Sequence, residues 1–447
     1  MPEVAQRRPV APPQAAGRSA PGPLAGAPSR RDLLGRREVL VFRLALLVVA
    51  IGVLDDAFAH REPGTSAADH LLSGLLPVAV AAALALAYPH LRAGLRAIAA
   101  ISCGVLAAVA GVADGVRHVA VDGLAGDDVT AMLAGLAGLL LLALGAVTLW
   151  RSRRLDERRA RRYARRALLA AAGLLGAFFV LLPIAFAIIA THKARSPVVT
   201  ADLGRPYAAE TLRTADGLRL AAWYVPSRNR AAVIAFPGRR GPVRHARMLA
   251  RHGYGVLLLD RRGEGESEGD MNLYGWNGEG DLDAAVAFLR RRPDVDRRRI
   301  GGLGLSVGGE LLLGTAARNR GLRAVVSEGA GVRSLHEHLE TPGVGGVQRW
   351  GTPWLVETPA LASLSNTAPP ANLADLVGRI APRPILLIRA LHGNEDEVLN
   401  RVYLRRAGPP KALWEVGRGG HTGALEAVPA QYERRVVGFF DRALLGR

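Results

Sequence analysis

A chain of 447 residues is longer than one ordinary domain, and its formal net charge of +19 raises nucleic acid as a partner. The arginines concentrate instead in two segments beside apolar runs, one from Arg7 and Arg8 through Arg18, Arg30, Arg31, Arg36 and Arg37, the other from Arg151 to Arg166. With no aromatic and basic reading motif beside them, nucleic-acid binding is set aside, and the single cysteine, Cys103, excludes an intramolecular disulfide.

Residues 1–38 are rich in Pro, Ala, Gly and Arg and lack apolar periodicity, so they are expected to form a disordered basic tail. Apolar runs follow at Val39–Ala59, Leu71–Tyr88, Leu95–Ala113, Val129–Trp150 and Ala167–Ala190. Each is near the ~20 residues that cross a bilayer. The first run is weakened by Arg43, which must snorkel, and by Asp55 and Asp56 at an interface; the third is rich in Ala and Gly. Residues 39–190 therefore read as an α-helical membrane region of four to five transmembrane helices, with the lipid bilayer as partner. Pro183 is placed to kink the fifth run.

The loops alternate in charge. The tail is basic, the loop with Asp55, Asp56, Glu62 and Asp69 is acidic, and the turn with Arg92 and Arg96 is basic. The loop with Asp114, Asp122, Asp127 and Asp128 is acidic again, and Arg151–Arg166 is densely basic. Lys and Arg gather on the cytoplasmic side of a cell membrane, so the tail is expected inside and, after a fifth crossing, the C-terminal domain outside. The stretch from Asp55 to His70 reads as a solvated interface loop, with a metal or partner site as the alternative.

After a linker at 191–204, short apolar runs alternate with amphipathic stretches over 205–447, the pattern of a mainly parallel sheet covered by helices. A hairpin is predicted at 210–213 and 219–225. Strands are predicted at 232–236, 255–260, 299–304, 322–327, 384–390 and 412–416, and helices at 243–252, 280–292, 308–318 and about 397–406, with a last helix from about Ala424. The chemistry centres on Gly304-Leu305-Ser306-Val307-Gly308. A serine at a sharp turn from strand to helix is held in a strained conformation with its hydroxyl exposed, and small flanking glycines relieve the crowding. The same turn presents the Val307 amide at a helix N-terminus, suited to a developing oxyanion.

Residues 205–445 resemble the α/β-hydrolase superfamily, nearest to its dienelactone-hydrolase-like and prolyl-oligopeptidase-like esterases. The resemblance is carried by Phe236-Pro237-Gly238-Arg239, Asp260-Arg261-Arg262-Gly263-Glu264-Gly265-Glu266-Ser267, the elbow at Ser306, Gly393-Asn394-Glu395-Asp396 and Gly419-Gly420-His421. It implies a triad in the order Ser306, Asp396, His421, with Glu395 and Glu397 as alternative acids and His392, His336 and His338 as rivals to His421. It also implies a second oxyanion amide at Arg239, where Pro-Gly-Arg replaces the usual His-Gly-x, and a cap at 330–382. Trp350 and Trp354 are candidates to line the substrate pocket or to fill the cap's own core. Glu328 and Glu310 face the pocket or serve as paired structural carboxylates. The Asp260-Arg261-Arg262-Gly263 stretch reads as a structural turn.

The reading is a membrane-anchored serine hydrolase that cleaves a carboxylic ester or thioester, a small-molecule or lipid ester substrate, through an acyl-enzyme. It implies no metal and no nucleotide cofactor. An acyltransferase with the same triad, a peptidase and a noncatalytic ligand-binding membrane protein are the alternatives.

Overall fold

The computed structural model describes residues 30–112, 126–151, 159–193, 195–196, 198–346, 349 and 352–447. Most of the predicted tail, the acidic residues Asp114 and Asp122, and 152–158 of the basic loop lie outside the described residues. The stretch before Val39 that is described is helical: α1 runs over Arg30–Leu54, because Arg, Leu and Glu propagate a helix as readily as the apolar run that follows. Then come α2 (Leu71–Ala87), α3 (Ala93–Gly111), α4 (Gly126–Arg151), α5 (Arg159–Gly176) and α6 (Leu182–Thr191). A π-helical turn at Ala177–Leu181 joins the last two, just ahead of Pro183, whose missing N–H cannot continue the regular ladder.

Among the described residues, four helical segments are long and apolar enough to cross a membrane: Ala67–His90, Ala93–Gly111, Val129–Arg151 and Arg159–Thr191. Helix α1 packs against α4 and α2 beside them. Its exposed Arg43 is tied to the neighbouring helix, Nε donating to the Ala85 carbonyl of α2 at 3.0 Å. The Ala and Gly content of α3 serves its contact with α4, for a Cβ added at Gly111 would lie 2.5 Å from Gly135 Cα. At one end of the bundle Glu38 meets Tyr88 at 3.2 Å and Arg96 at 3.5 Å. At the other, Asp55 accepts from the Thr130 hydroxyl at 2.6 Å.

That second end carries the α/β domain. The segment after α6 is pinned by Arg195, which pairs with Glu62 of the acidic loop and donates to the Gly269 carbonyl. Pro63 accepts from Gly269 N–H at 2.8 Å, and Ala190 accepts from Leu273 N–H at 2.9 Å. An apolar cluster of Ala187, Ala190, Trp276 and Leu361 closes the junction.

Among the described residues the sheet has eight strands: β1 (Ala208–Arg213), β2 (Arg219–Val225), β3 (Ala232–Phe236), β4 (Gly255–Leu259), β5 (Ile300–Leu305), β6 (Ala324–Glu328), β7 (Ile385–Ala390) and β8 (Lys411–Val416). Their order is β1-β2-β4-β3-β5-β6-β7-β8, antiparallel at β1-β2 and β2-β4 and parallel elsewhere. Alternate residues enter two cores: Ile234, Phe236 and Leu257 face one, Val233, Ala235 and Leu258 the other. Because both faces are covered, β3 and β4 are apolar throughout, which is why they stand out in the sequence. The chain switches direction along the sheet between β3 and β5, and in open α/β sheets such a switch leaves a crevice at the carboxyl ends of the strands.

Helices α7 (Val243–Arg251), α8 (Glu279–Arg290) and α9 (Val307–Arg318) cover the sheet. Between β6 and β7 stand α10 (Leu335–Glu340), α11 (Trp354–Leu364) and α12 (Leu373–Leu376), where the cap was expected; α11 packs against α6 and α2. Helices α13 (Leu399–Arg406), α14 (Ala424–Ala427) and α15 (Pro429–Phe440) complete the fold, which is that of an α/β hydrolase.

Candidate active site

Ser306 stands at the switch point, between the end of β5 and the start of α9. Its backbone lies at φ 51° and ψ −126°, the strained elbow that the motif predicts. The turn is possible because Gly304 has no side chain, since a Cβ there would come within 2.3 Å of the Gly308 carbonyl oxygen. The Ser306 N–H donates to the Glu328 carbonyl at 2.7 Å, tying the elbow to the end of β6. Val307 opens α9, and among the described residues its N–H meets no acceptor, as expected for the first turn of a helix.

His421 follows β8. The Glu328-Gly329 peptide stands between it and the serine: one side takes the Ser306 N–H, and a Cβ added at Gly329 would lie 3.0 Å from His421 Cε1. Ser306 Oγ makes no hydrogen bond to a protein group among the described residues.

The acid is where the sequence reading needs correction. His421 Nδ1 is paired with Glu397 Oε1 at 2.7 Å, and Glu397 is fully buried. Asp396 is turned away, its carboxylate accepting the Val332 N–H at 2.9 Å and facing Gly331. The physical reason is a capping box. Asn394 caps the short 3-10 helix Glu395–Val398, and Glu397, three residues on, folds back onto the Asn394 N–H at 3.1 Å and the Ala390 N–H at 2.9 Å. Only the third of the three consecutive carboxylates is thereby directed inward to the histidine. The Asn-x-x-Glu spacing was the signal in the sequence that identifies it.

This pairing shifts both groups. The hydrogen bond to Glu397 raises the His421 pKa above the ordinary histidine value, burial opposing it and the Asp396 and Glu310 charges adding to it. Burial pushes Glu397 up, but His421 and the Ala390 and Asn394 amides outweigh it and hold the carboxyl below its ordinary range. Glu310, on α9, accepts the Gly331 N–H at 2.8 Å, and burial pushes it up to about 7 against the pull of Arg333. Arg333 is itself buried and paired with Glu337. Glu310, Asp396 and Glu337 thus fasten residues 331–333, where the chain enters the cap.

Two further expectations are overturned. The Arg239 amide does not point to the elbow; it donates to Asp260 Oδ1 at 3.0 Å, and the guanidinium holds the same carboxylate at 2.9 and 2.6 Å. A buried carboxylate must have such partners, and Arg239 supplies them with side chain and main chain together. Glu328 does not line a pocket. Its side chain accepts from the Ala424 N–H at 3.0 Å and the Tyr432 hydroxyl at 2.7 Å, holding the helices that follow His421. Trp354 is half-buried, packs on the main core, and lies 5.4 Å from Tyr274 and 6.3 Å from His338 between ring centroids. Trp350 lies outside the described residues. Of the rival histidines, only His421 is paired with a buried acid beside the elbow.

The family model described as X-Pro dipeptidyl-peptidase (S15 family) matches residues 180–407, just over half of the chain. The chain belongs to that family. It is 26% identical over 260 residues to the uncharacterized protein YfhR of Escherichia coli K12, covering 54% of this chain and 83% of that one. It is 31% identical over 129 residues to the polyketide transferase grgF of Penicillium, covering 26% of this chain and 42% of that one. Among solved structures, the Pyrococcus furiosus esterase Pf2001 aligns with a TM-score of 0.46 at 22% identity, over 56% of this chain and 98% of that one.

The Glu397 and His421 pairing predicts a titration. With folded-state pKa values raised for His421 and lowered for Glu397, the pair contributes stability between the two ordinary ranges, lost as pH rises through the histidine or falls through the carboxyl. Histidine NMR on Glu397→Gln should show the imidazole titrating at lower pH than in the wild type, with Asp396→Asn giving a smaller shift. A larger shift from Asp396→Asn would reverse the assignment.

Proposed function

Taking membership of this hydrolase family as premise, we propose that the chain is a membrane-anchored serine hydrolase acting on a carboxylic ester or thioester through an acyl-enzyme on Ser306. The observation that carries the reading is the buried Glu397 hydrogen-bonded to His421 beside the strained serine elbow. Glu397 holds the imidazole with its proton on Nδ1, leaving Nε2 free to take the Ser306 proton. Ser306 Oγ then attacks the acyl carbon, and the negative charge on the former carbonyl oxygen develops toward the Val307 amide at the head of α9. His421 returns the proton to the leaving group, and water, activated in the same way, releases the acid.

Acyl transfer uses the same steps with an alcohol or amine in place of water, and the 31% identity to a polyketide transferase favours keeping it as the second reading. The family's description makes an X-Pro peptide anilide the natural control substrate. A panel of acyl esters, an acyl thioester and an X-Pro anilide, each with and without added acceptor alcohols, tests these readings together. The ester or thioester is expected to turn over, with Ser306→Ala losing on the order of 10⁶-fold in kcat. Retained turnover in Ser306→Ala sinks the mechanism, and anilide cleavage in preference to the esters sinks the substrate class.

We further propose that the domain faces away from the cytoplasm. The supporting features are the alternating loop charges and the docking of the domain on the end of the bundle that carries the acidic Asp55–His70 loop. Protease added to intact cells should degrade the C-terminal domain while sparing the tail. Protection of the domain until the cells are lysed would reverse this orientation.

A further inference from the structure

A cleft of about 180 Å³ lies between the segment leaving α6 and the loop after β3, with Lys193, Arg195, Gly238, Arg240, Asp260 and Glu264 among its walls. Its charges do not cancel. Asp260 is taken by Arg239, Glu264 by Arg261, and Arg195 by Glu62. That leaves Lys193 and Arg240, neither paired with a carboxylate among the described residues. The Gly238, Arg240 and Gly241 N–H groups, all in the same loop, likewise meet no protein acceptor among the described residues. Two cations without carboxylate partners, with free amides on either side of the occupied Arg239 N–H, are the chemistry that an anion takes. The volume is below the ~300–1,000 Å³ that encloses a whole drug-sized ligand and suits a single headgroup.

The cleft also adjoins the nucleophile. A Cβ added at Gly308, two residues beyond Ser306, would lie 2.7 Å from Phe236 O and 2.8 Å from Pro237 N, and Pro237 and Gly238 are walls of the cleft. The β3 loop therefore has the serine elbow on one side and the basic cleft on the other. On its far side the cleft meets the end of the last apolar helix, where Lys193 stands two residues beyond Thr191.

We propose that this cleft binds an anionic group, a phosphate or carboxylate, carried by the substrate, with Lys193 and Arg240 as its counter-charges. The inference rests on the hydrolase reading and narrows it to esters bearing a second, negatively charged group that reaches across the β3 loop from the scissile bond. A lipid headgroup and a free anionic ester offer the same chemistry to the cleft.

The test uses the full chain in neutral detergent with two p-nitrophenyl esters of one dicarboxylic acid, one with its second carboxylate free and one with it methylated. In Lys193→Gln/Arg240→Gln, the ratio of kcat/KM for the charged over the neutral ester should fall about tenfold at low salt, with less change at high salt. An unchanged ratio overturns the proposal. A readout that needs no turnover separates this from failure of the hydrolase reading: inorganic phosphate should raise the thermal midpoint of the wild type and not of the double variant. A shift with phosphate identifies a site open to free anions. A shift only in phosphatidylglycerol nanodiscs, compared with phosphatidylcholine, identifies a lipid headgroup, and no shift in any of these overturns the proposal. If neither ester turns over in the wild type, the hydrolase reading falls even where phosphate binds.

Discussion

The positive φ at Ser306 is the constraint around which the site is arranged. A non-glycine residue holds this conformation only when its surroundings over-determine it. Here the Glu328 carbonyl fixes the serine N–H, Gly304 leaves room for the Gly308 carbonyl, and the buried strands on either side of β5 hold the turn at the crevice. The same Glu328 fastens, through its side chain, the helices after His421. One residue at the end of β6 thus couples the Ser306 backbone to the helices that follow His421.

The segment between β6 and β7 and the apolar helices pack around this arrangement. Residues 331–333 are fastened by three carboxylates, and α11, further along the same segment, packs on α6, the last apolar helix. Arg195, Pro63 and Ala190 add polar ties at the same junction. The domain is therefore docked on the bundle end through its cap and its β4-to-α8 loop, with the basic cleft beside that contact.

What the sequence makes legible follows from how locally each feature is encoded. Strands such as Ala232–Phe236 and Gly255–Leu259 are buried on both faces and appear as continuous apolar runs; the elbow is legible because its glycines are needed within two residues of the serine. The features that escaped depend on partners far along the chain. The Arg239 amide is claimed by Asp260 from the next strand's end, and Glu328 by a tyrosine hydroxyl in the last helix. The choice among Glu395, Asp396 and Glu397 was decided by a local capping box, a signal present in the sequence but weaker than the family habit of an Asp at that loop.

The central claim is that Ser306 is the nucleophile, and covalent trapping measures it most directly. The full chain, treated with a fluorophosphonate, digested and analysed by mass spectrometry, is predicted to carry one adduct on Ser306, in the peptide that spans β5 and α9. No adduct, or an adduct on another residue with Ser306 unmodified, would contradict the account.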